Sequence, residues 1–489
     1  MFSPGTATAA AAAAAAAAQP GGAGAGAATA AAAAVAVHAA GALKKLRPRT
    51  GTLKTEYGVV RTPDAIMTTR RGSVPFLTPD MCCASSEQKE EEEDGRGGGG
   101  GEGEEQQQET SSCSSPTLRG FGVHVSIPEL CESAAHVRSR KKHMRGDQKH
   151  IDAKINVEPD AIFQKAFAGA RTSFGHRTTP AIVASARAAA PVYLENHHNS
   201  GGEKRRSDAT RLSVDAPAGS CFLSPETYVD AVERLGADVY VALADEAPTS
   251  KRAKAEAVTL SLGWLEAIAR EHNARKWADT RLLMAMVVGG KGDADRQRCV
   301  RGVLDAGDAV AGVVVGGIHA AENADERSAI IASSIQDLSP RLLRAVWDVD
   351  EPKDILDAVH LGIDIFSGDY PLRATERGHA LTLPRWMSNE NSATETATAS
   401  SSSSMYIDLS DKCHERDARP FVEGCSCYAC TNHSRAYVHH LFNCNEMLHQ
   451  TLLMIHNVHA FQLFFEDIRR AINEDKFEDF RSSFCTACK

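Results

Sequence analysis

The sequence predicts an α/β protein in which buried parallel strands alternate with amphipathic helices, followed by a cysteine-rich segment near the C-terminal end. Three observations predict this. Short β-rich runs recur along the second half of the chain, and helix-compatible stretches separate most of them. The third is the string CSCYAC, which packs Cys425, Cys427 and Cys430 into six residues of a 489-residue chain holding 13 cysteines.

The strand candidates are DVYVAL from Asp238, LLMAMVV from Leu282, AGVVVGG from Ala311, LLRAVWDV from Leu342 and GIDIF from Gly362. Their apolar residues fall at consecutive positions, as expected of strands covered on both faces. Between them PETYVDAVERL, DRQRCVRGVLDA and PKDILDAVHL carry helical spacing. Alternation of this kind builds a parallel sheet, and many such units in one chain favour a closed barrel over an open sheet. In a barrel the chemistry sits just beyond the strand ends. The places to look are therefore Ala244 to Glu246, Gly289–Gly290, Gly316 to His319 and Ser367 to Asp369.

Composition divides the rest. Hydrophobic residues make up 43% of the chain, enough for a sizeable core, and no apolar run is long enough to span a membrane. Net charge is −9, but ten acids between Glu87 and Glu109 face only Lys89 and Arg96 there. The remainder is close to neutral, so the total says little about partners of the folded part. Residues 1–43 read as a disordered Ala/Gly-rich tail, 44–83 as the start of the barrel domain and 84–118 as a disordered acidic and Gly-rich insert. The barrel domain continues over 119–387, a Ser/Thr-rich insert covers 388–404, and a metal-binding subdomain with C-terminal helices covers 405–480. Residues 481–489 are expected as a tail. The inserts lack an apolar set able to repay ordering entropy.

An odd number of cysteines with no secretory signal ahead of them indicates a reducing compartment, which favours metal binding over disulfides. C-x-C-x-x-C supplies three thiolates, and a tetrahedral zinc site wants a fourth ligand. The following helix, interrupted near Asn443, offers His449, His456 and His459, with Cys444 and Cys413 as further options. Spacing alone does not choose among the histidines. Any one histidine on such a helix is more often a packed or solvated residue than a ligand.

The segment GCSCYACTNHSRAYVHHLFNCNEMLHQTLLMIHN resembles the C-terminal zinc motif of the tRNA-guanine (queuine) transglycosylases. RTGTLKTEYGVVRTPDAIMTTRRGSVPFLTPDM at 50–81, FLSPETYVDAVERLGADVYVAL at 222–243, VVVGGI at 313–318 and GIDIFSGDYPLRATERGHALTL at 362–383 resemble further family blocks in the family order. The resemblance implies a (β/α)8 TIM-type barrel with an inserted C-terminal zinc-binding subdomain. It implies Cys425, Cys427, Cys430 and His456 as ligands of one structural zinc, since the family leaves 25 residues between the third cysteine and its histidine.

Active family members exchange guanine for queuine at the wobble position of tRNAs with GUN anticodons. A carboxylate attacks the ribose C1′ and holds the RNA while the bases swap. In this sequence Ser367 occupies the nucleophile position, Ala244 the position of an aspartate that reads the purine edge, and Gly289 that of a glutamine. NSGGEK puts Asn199 where DSGGFQ has its aspartate. TERGHALTL at 375–383 resembles the catalytically silent accessory branch of the eukaryotic enzyme. The implied protein is a non-catalytic subunit that pairs with a catalytic subunit as a heterodimer and contacts tRNA. Arg373 and Arg435 are the candidate phosphate contacts. It is expected in the cytoplasm, with peripheral association at the mitochondrial outer membrane. One alternative is an active transglycosylase that uses Asp369 as a displaced nucleophile. Another is an organelle-surface scaffold without tRNA contact.

Overall fold

The computed structural model describes residues 2–4, 46–82, 118, 120–130, 169–186, 207–216, 219–246, 251–291, 293–386 and 404–487. Most of the Ala/Gly-rich tail and both low-complexity inserts lie outside them, as do Asn199 and Cys488. The tail expected over 1–43 begins with ordered structure, because Phe2–Pro4 pairs antiparallel with Gly51–Thr55.

Eight parallel strands close into a barrel in chain order. They are β1 (Asp64–Thr68), β2 (Val123–Ser126), β3 (Ile182–Ser185), β4 (Val239–Val241), β5 (Leu282–Val287), β6 (Val310–Val315), β7 (Leu343–Val346) and β8 (Ile365–Ser367). β8 returns to β1, pairing Ile365 with Asp64 and Ser367 with Ile66. The outer layer includes helices α1 (Pro225–Leu235), α2 (Lys251–Ala274), α3 (Asp293–Asp305), α4 (Ala324–Ile335) and α5 (Pro352–His360). Helix α1 illustrates how local signals set an element. Ser224 accepts from the Thr227 amide in a capping box, Pro225 opens the first turn, and Gly236 closes the helix at φ 69°.

Alternation along each strand sorts side chains between two cores. Ile66, Val183, Val241, Val314 and Ile365 fill the barrel, joined by Leu53 and Val60 from the hairpin Gly51–Thr55/Gly58–Thr62. Phe366 points outward and meets Phe465 at 5.8 Å between ring centroids. Where β8 begins, the wholly buried Asp364 accepts from Arg49 Nε at 2.8 Å and from the Arg344 amide at 2.8 Å, and ion-pairs the Arg49 guanidinium. Arg49 also donates to the Leu342 carbonyl at 2.8 Å, so one side chain ties the chain start to two barrel strands.

After β8 come α6 (Tyr370–Glu376) and the antiparallel pair β9 (His379–Leu381) and β10 (Tyr406–Asp408). The C-terminal subdomain adds α7 (Tyr428–Asn432), α8 (Arg435–Asn443), α9 (Leu448–Asn473) and α10 (Phe477–Ala487). The break expected near Asn443 is the turn between α8 and α9. The tail expected at 481–489 is corrected: α10 runs through it to Ala487. Phe480 and Phe484 are 2% and 1% exposed against Phe464, which is why this segment is helix rather than tail.

Candidate functional site

Two regions carry chemistry: a sulfur-rich cluster in the C-terminal subdomain and the mouth of the barrel. In the cluster, the Sγ atoms of Cys425, Cys427 and Cys430 lie 3.6, 3.5 and 3.3 Å from His456 Nδ1. All four ligand atoms fall within 4.8 Å of one another. Tetrahedral zinc with ordinary Zn–S and Zn–N bonds requires S···N edges of roughly 3.6 Å. The donor set and its spacing therefore fit one such ion, closed by four protein ligands.

The surroundings hold that geometry. Cys427 is the N-cap of α7, and its sulfur accepts from the Cys430 amide at 3.4 Å. His456 Nε2 donates to the Leu381 carbonyl at 2.9 Å, leaving Nδ1 for the cluster. Burial opposes charge on His456, yet contact with Cys425 and Cys430 pushes its imidazole up to about 10. The crowded sulfurs oppose one another's ionisation, holding the Cys425 thiol far down and the Cys427 thiol far up, and a dication would let all three bind as thiolates. Of the other candidates, His459 sits beside Cys425 but outside the converging set. Cys413 and Cys444 are exposed, and His449 is bonded to the Glu446 carbonyl.

Arg435, expected as a phosphate contact, is 9% exposed and turned inward. It donates to the carbonyls of Pro420 at 2.9 Å and Phe421 at 2.9 Å, and pairs with Asp417 at 3.1 Å. Phe421 in turn packs its ring 5.7 Å from that of His456. Arg435 thus clamps the loop that walls the cluster. Arg373 is likewise engaged, ion-paired with Asp350 and, at 3.0 Å, with Glu351. Both guanidiniums are committed to internal partners.

At the barrel mouth a cleft of about 370 Å³, open to solvent, is lined by Ser185, Val241, Ala244, Glu246, Met286 and Trp347, among others. Ser367 sits at the end of β8, 1% exposed, its hydroxyl without a hydrogen-bond partner among the described residues. Asp364 does not reach this end; it is the Arg49 partner described above. Asp369 is 1% exposed, and neither carboxylate oxygen has a hydrogen-bond partner there. Burial, reinforced by the Asp350 carboxylate, pushes its carboxyl up to about 7 against the pull of Thr68, Arg373 and Arg70.

Gly289 has φ 145°, and a Cβ added there would lie 2.6 Å from the Arg296 amide nitrogen. Arg296, 1% exposed, donates to the carbonyls of Val287, Gly290 and Gly316 and to Ser334 Oγ. It holds the loops after β5 and β6 in place, a role invisible in a helical string of alternating charges. Gly289→Gln is expected to destabilise the chain by at least ~1–3 kcal/mol through backbone strain alone, measurable as a lower urea midpoint.

The family model for queuine tRNA-ribosyltransferase matches residues 197–489. The queuine tRNA-ribosyltransferase accessory subunit 2 of Danio rerio is 30% identical over 301 residues, covering 56% of this chain and 71% of the relative. That of Culex quinquefasciatus is 31% identical over 273 residues, 54% of this chain and 62% of the relative. The queuine tRNA-ribosyltransferase of Thioalkalivibrio sulfidiphilus is 31% identical over 284 residues, 58% and 69%.

Proposed function

The chain belongs to the queuine tRNA-ribosyltransferase family, and we propose that within it this protein is a non-catalytic subunit. It would pair with a catalytic subunit and support the exchange of guanine for queuine at the wobble position of tRNA. The observation that carries this reading is Ser367: where the family places a carboxylate nucleophile, this chain has a hydroxyl that is buried and has no hydrogen-bond partner, and so no base, among the described residues. A hydroxyl without a base is a poor nucleophile and offers no charge to an oxocarbenium-like centre. Two further features agree. Ala244 puts a methyl group in the cleft where the family has a purine-reading carboxylate, and the space at Gly289 leaves no room for a glutamine side chain.

Asp369 is a weak candidate for a displaced nucleophile. Its oxygens are shut away from solvent, and a carboxyl half-protonated at neutral pH surrenders much of its nucleophilic form. The metal cluster would serve structure, because four protein ligands leave no position for a reacting water. The C-terminal subdomain would meet the catalytic subunit. Tyr428, Tyr437, Met447 and Leu448 are exposed on it, an apolar supply suited to a protein partner. We propose a cytoplasmic location with peripheral association at the mitochondrial outer membrane.

Mixing the purified chain with a catalytic subunit and tRNA tests the reading. We expect a one-to-one complex by light scattering, and crosslinks from tRNA to this chain that weaken steeply with salt, as phosphate contacts do. A complex without any tRNA crosslink to this chain would favour pure scaffolding. Failure to form a complex would overturn the proposal.

A further inference from the structure

The short helix α6 joins the barrel mouth to the metal-binding subdomain. At its start, Tyr370 packs against Phe461 of α9 at 6.0 Å. At its end, Thr375 Oγ1 accepts from Asn457 Nδ2 at 2.9 Å. The strand it leads into, β9, takes the Asn457 side chain at Leu381 N and His379 O, both at 2.9 Å. The same Leu381 offers its carbonyl to the ligand histidine, His456. Everything between β8 and this seam hangs on the residue that opens α6, which is Asp369.

Asp369 has an unusual setting. It is 1% exposed, its side chain does not cap the helix, and its oxygens have no hydrogen-bond partner among the described residues. The charged groups around it come from three directions and are already engaged. Arg373, one turn along α6, pairs with Asp350 and Glu351 from the loop after β7. Arg70, beyond β1, pairs with Glu376 at 2.9 Å. Thr68 ends β1, and its buried hydroxyl lies beside the Asp369 carboxyl and favours the ionised form, too weakly to offset burial; His124 on β2, pushed down to about 4 by burial, stays neutral. Ionising Asp369 therefore places a second carboxylate near Asp350 with no unengaged cation among the described residues to receive it.

We propose that Asp369 is a proton-operated latch whose ionisation loosens α6 and, through α6, the seam between the barrel and the metal-binding subdomain. The neutral acid sits in the closed arrangement at little cost. The carboxylate gains from reaching water, and α6 must move for it to do so. An acid whose closed-state pKa is raised holds the latch shut at low pH. Its contribution is lost as pH rises from the ordinary carboxylate value through the closed-state value, then stays constant. The window runs from about 4 to about 7.

Hydrogen exchange of the full-length, metal-loaded chain, corrected for the intrinsic pH dependence, tests this between pH 6 and pH 8, where the metal cluster remains loaded. One-proton linkage predicts that opening of residues 370–381 rises about fivefold from pH 6 to pH 7 and less than twofold from pH 7 to pH 8. Asp369→Asn, a neutral isostere, is expected to abolish the rise. Asp350→Asn, which removes the neighbouring charge but keeps the latch, is expected to move the plateau to lower pH. A rise retained in Asp369→Asn, a flat wild-type profile, or an equal rise in α3 would each overturn the proposal.

Discussion

Cys427→Ser is expected to abolish stoichiometric metal binding and to unfold the cluster loop with α7 and α8, while the barrel and the α9 and α10 helices packed on it stay folded. The four ligand atoms converge within 4.8 Å, and Cys427 is both a ligand and the cap of α7. Serine keeps the shape but replaces a thiolate with a hydroxyl that is a far poorer zinc ligand. At sites of this type metal binding is folding energy, about 10–16 kcal/mol apparent in isolated zinc-finger peptides. The small core around the cluster (Phe421, Val438, Leu441, Leu452 and Leu453) is too limited to replace that contribution. Elemental analysis together with two-step thermal unfolding checks this. Cys444→Ser, at an exposed position outside the cluster, is the control and should leave metal content unchanged. Full metal content in Cys427→Ser would refute the ligand set.

Arg49→Ala is expected to cost about 3–5 kcal/mol at neutral pH, the usual penalty for leaving one member of a buried ion pair without its partner. Asp364 is wholly buried, and burial pushes its carboxyl upward while Arg49 opposes that shift. Without Arg49 the acid must stay protonated in the folded state or be buried as a bare charge. Its folded-state pKa then lies above the unfolded value, so the loss should shrink as pH falls toward the ordinary carboxylate range. Chemical denaturation at several pH values measures this. Adding Asp364→Asn to Arg49→Ala should recover part of the stability, because the stranded charge is gone. Strictly additive losses would show that the pair does not act as a unit.

The strands from β4 onward were legible because both of their faces are covered, which writes continuous apolar runs into the sequence. β1, β2 and β3 were not read individually. The acidic and Gly-rich insert separates β1 from β2, and some 55 residues without a clear apolar run separate β2 from β3, so no alternating rhythm connects them. The cysteine ligands announced themselves by density. The histidine did not, since His449, His456 and His459 recur at helical spacing on α9. The approach of its Nδ1 to the three sulfurs, and its bond to the Leu381 carbonyl 75 positions away, distinguish His456 physically.

The internal partners of Arg435 and Arg373 are hidden in the sequence for a related reason. An arginine near a motif looks solvated in a string of letters, but here carbonyls and carboxylates from distant segments surround it. Arg296 was hidden in the same way, because its partners are backbone carbonyls, which carry no sequence signal. Ser367, Ala244 and Gly289 were legible as departures from a resemblance. The structure adds that Gly289 stands where a side chain has no room.

On the proposed reading this barrel mouth does not perform base exchange, and its chain serves a catalytic partner. The direct measurement is incorporation of radiolabelled guanine into substrate tRNA by the purified chain alone and by the chain reconstituted with a catalytic subunit. The account predicts no incorporation by the isolated chain, before or after Asp369→Asn, and robust incorporation by the mixed complex. Turnover by the isolated chain that disappears in Asp369→Asn would contradict it and identify Asp369 as the nucleophile.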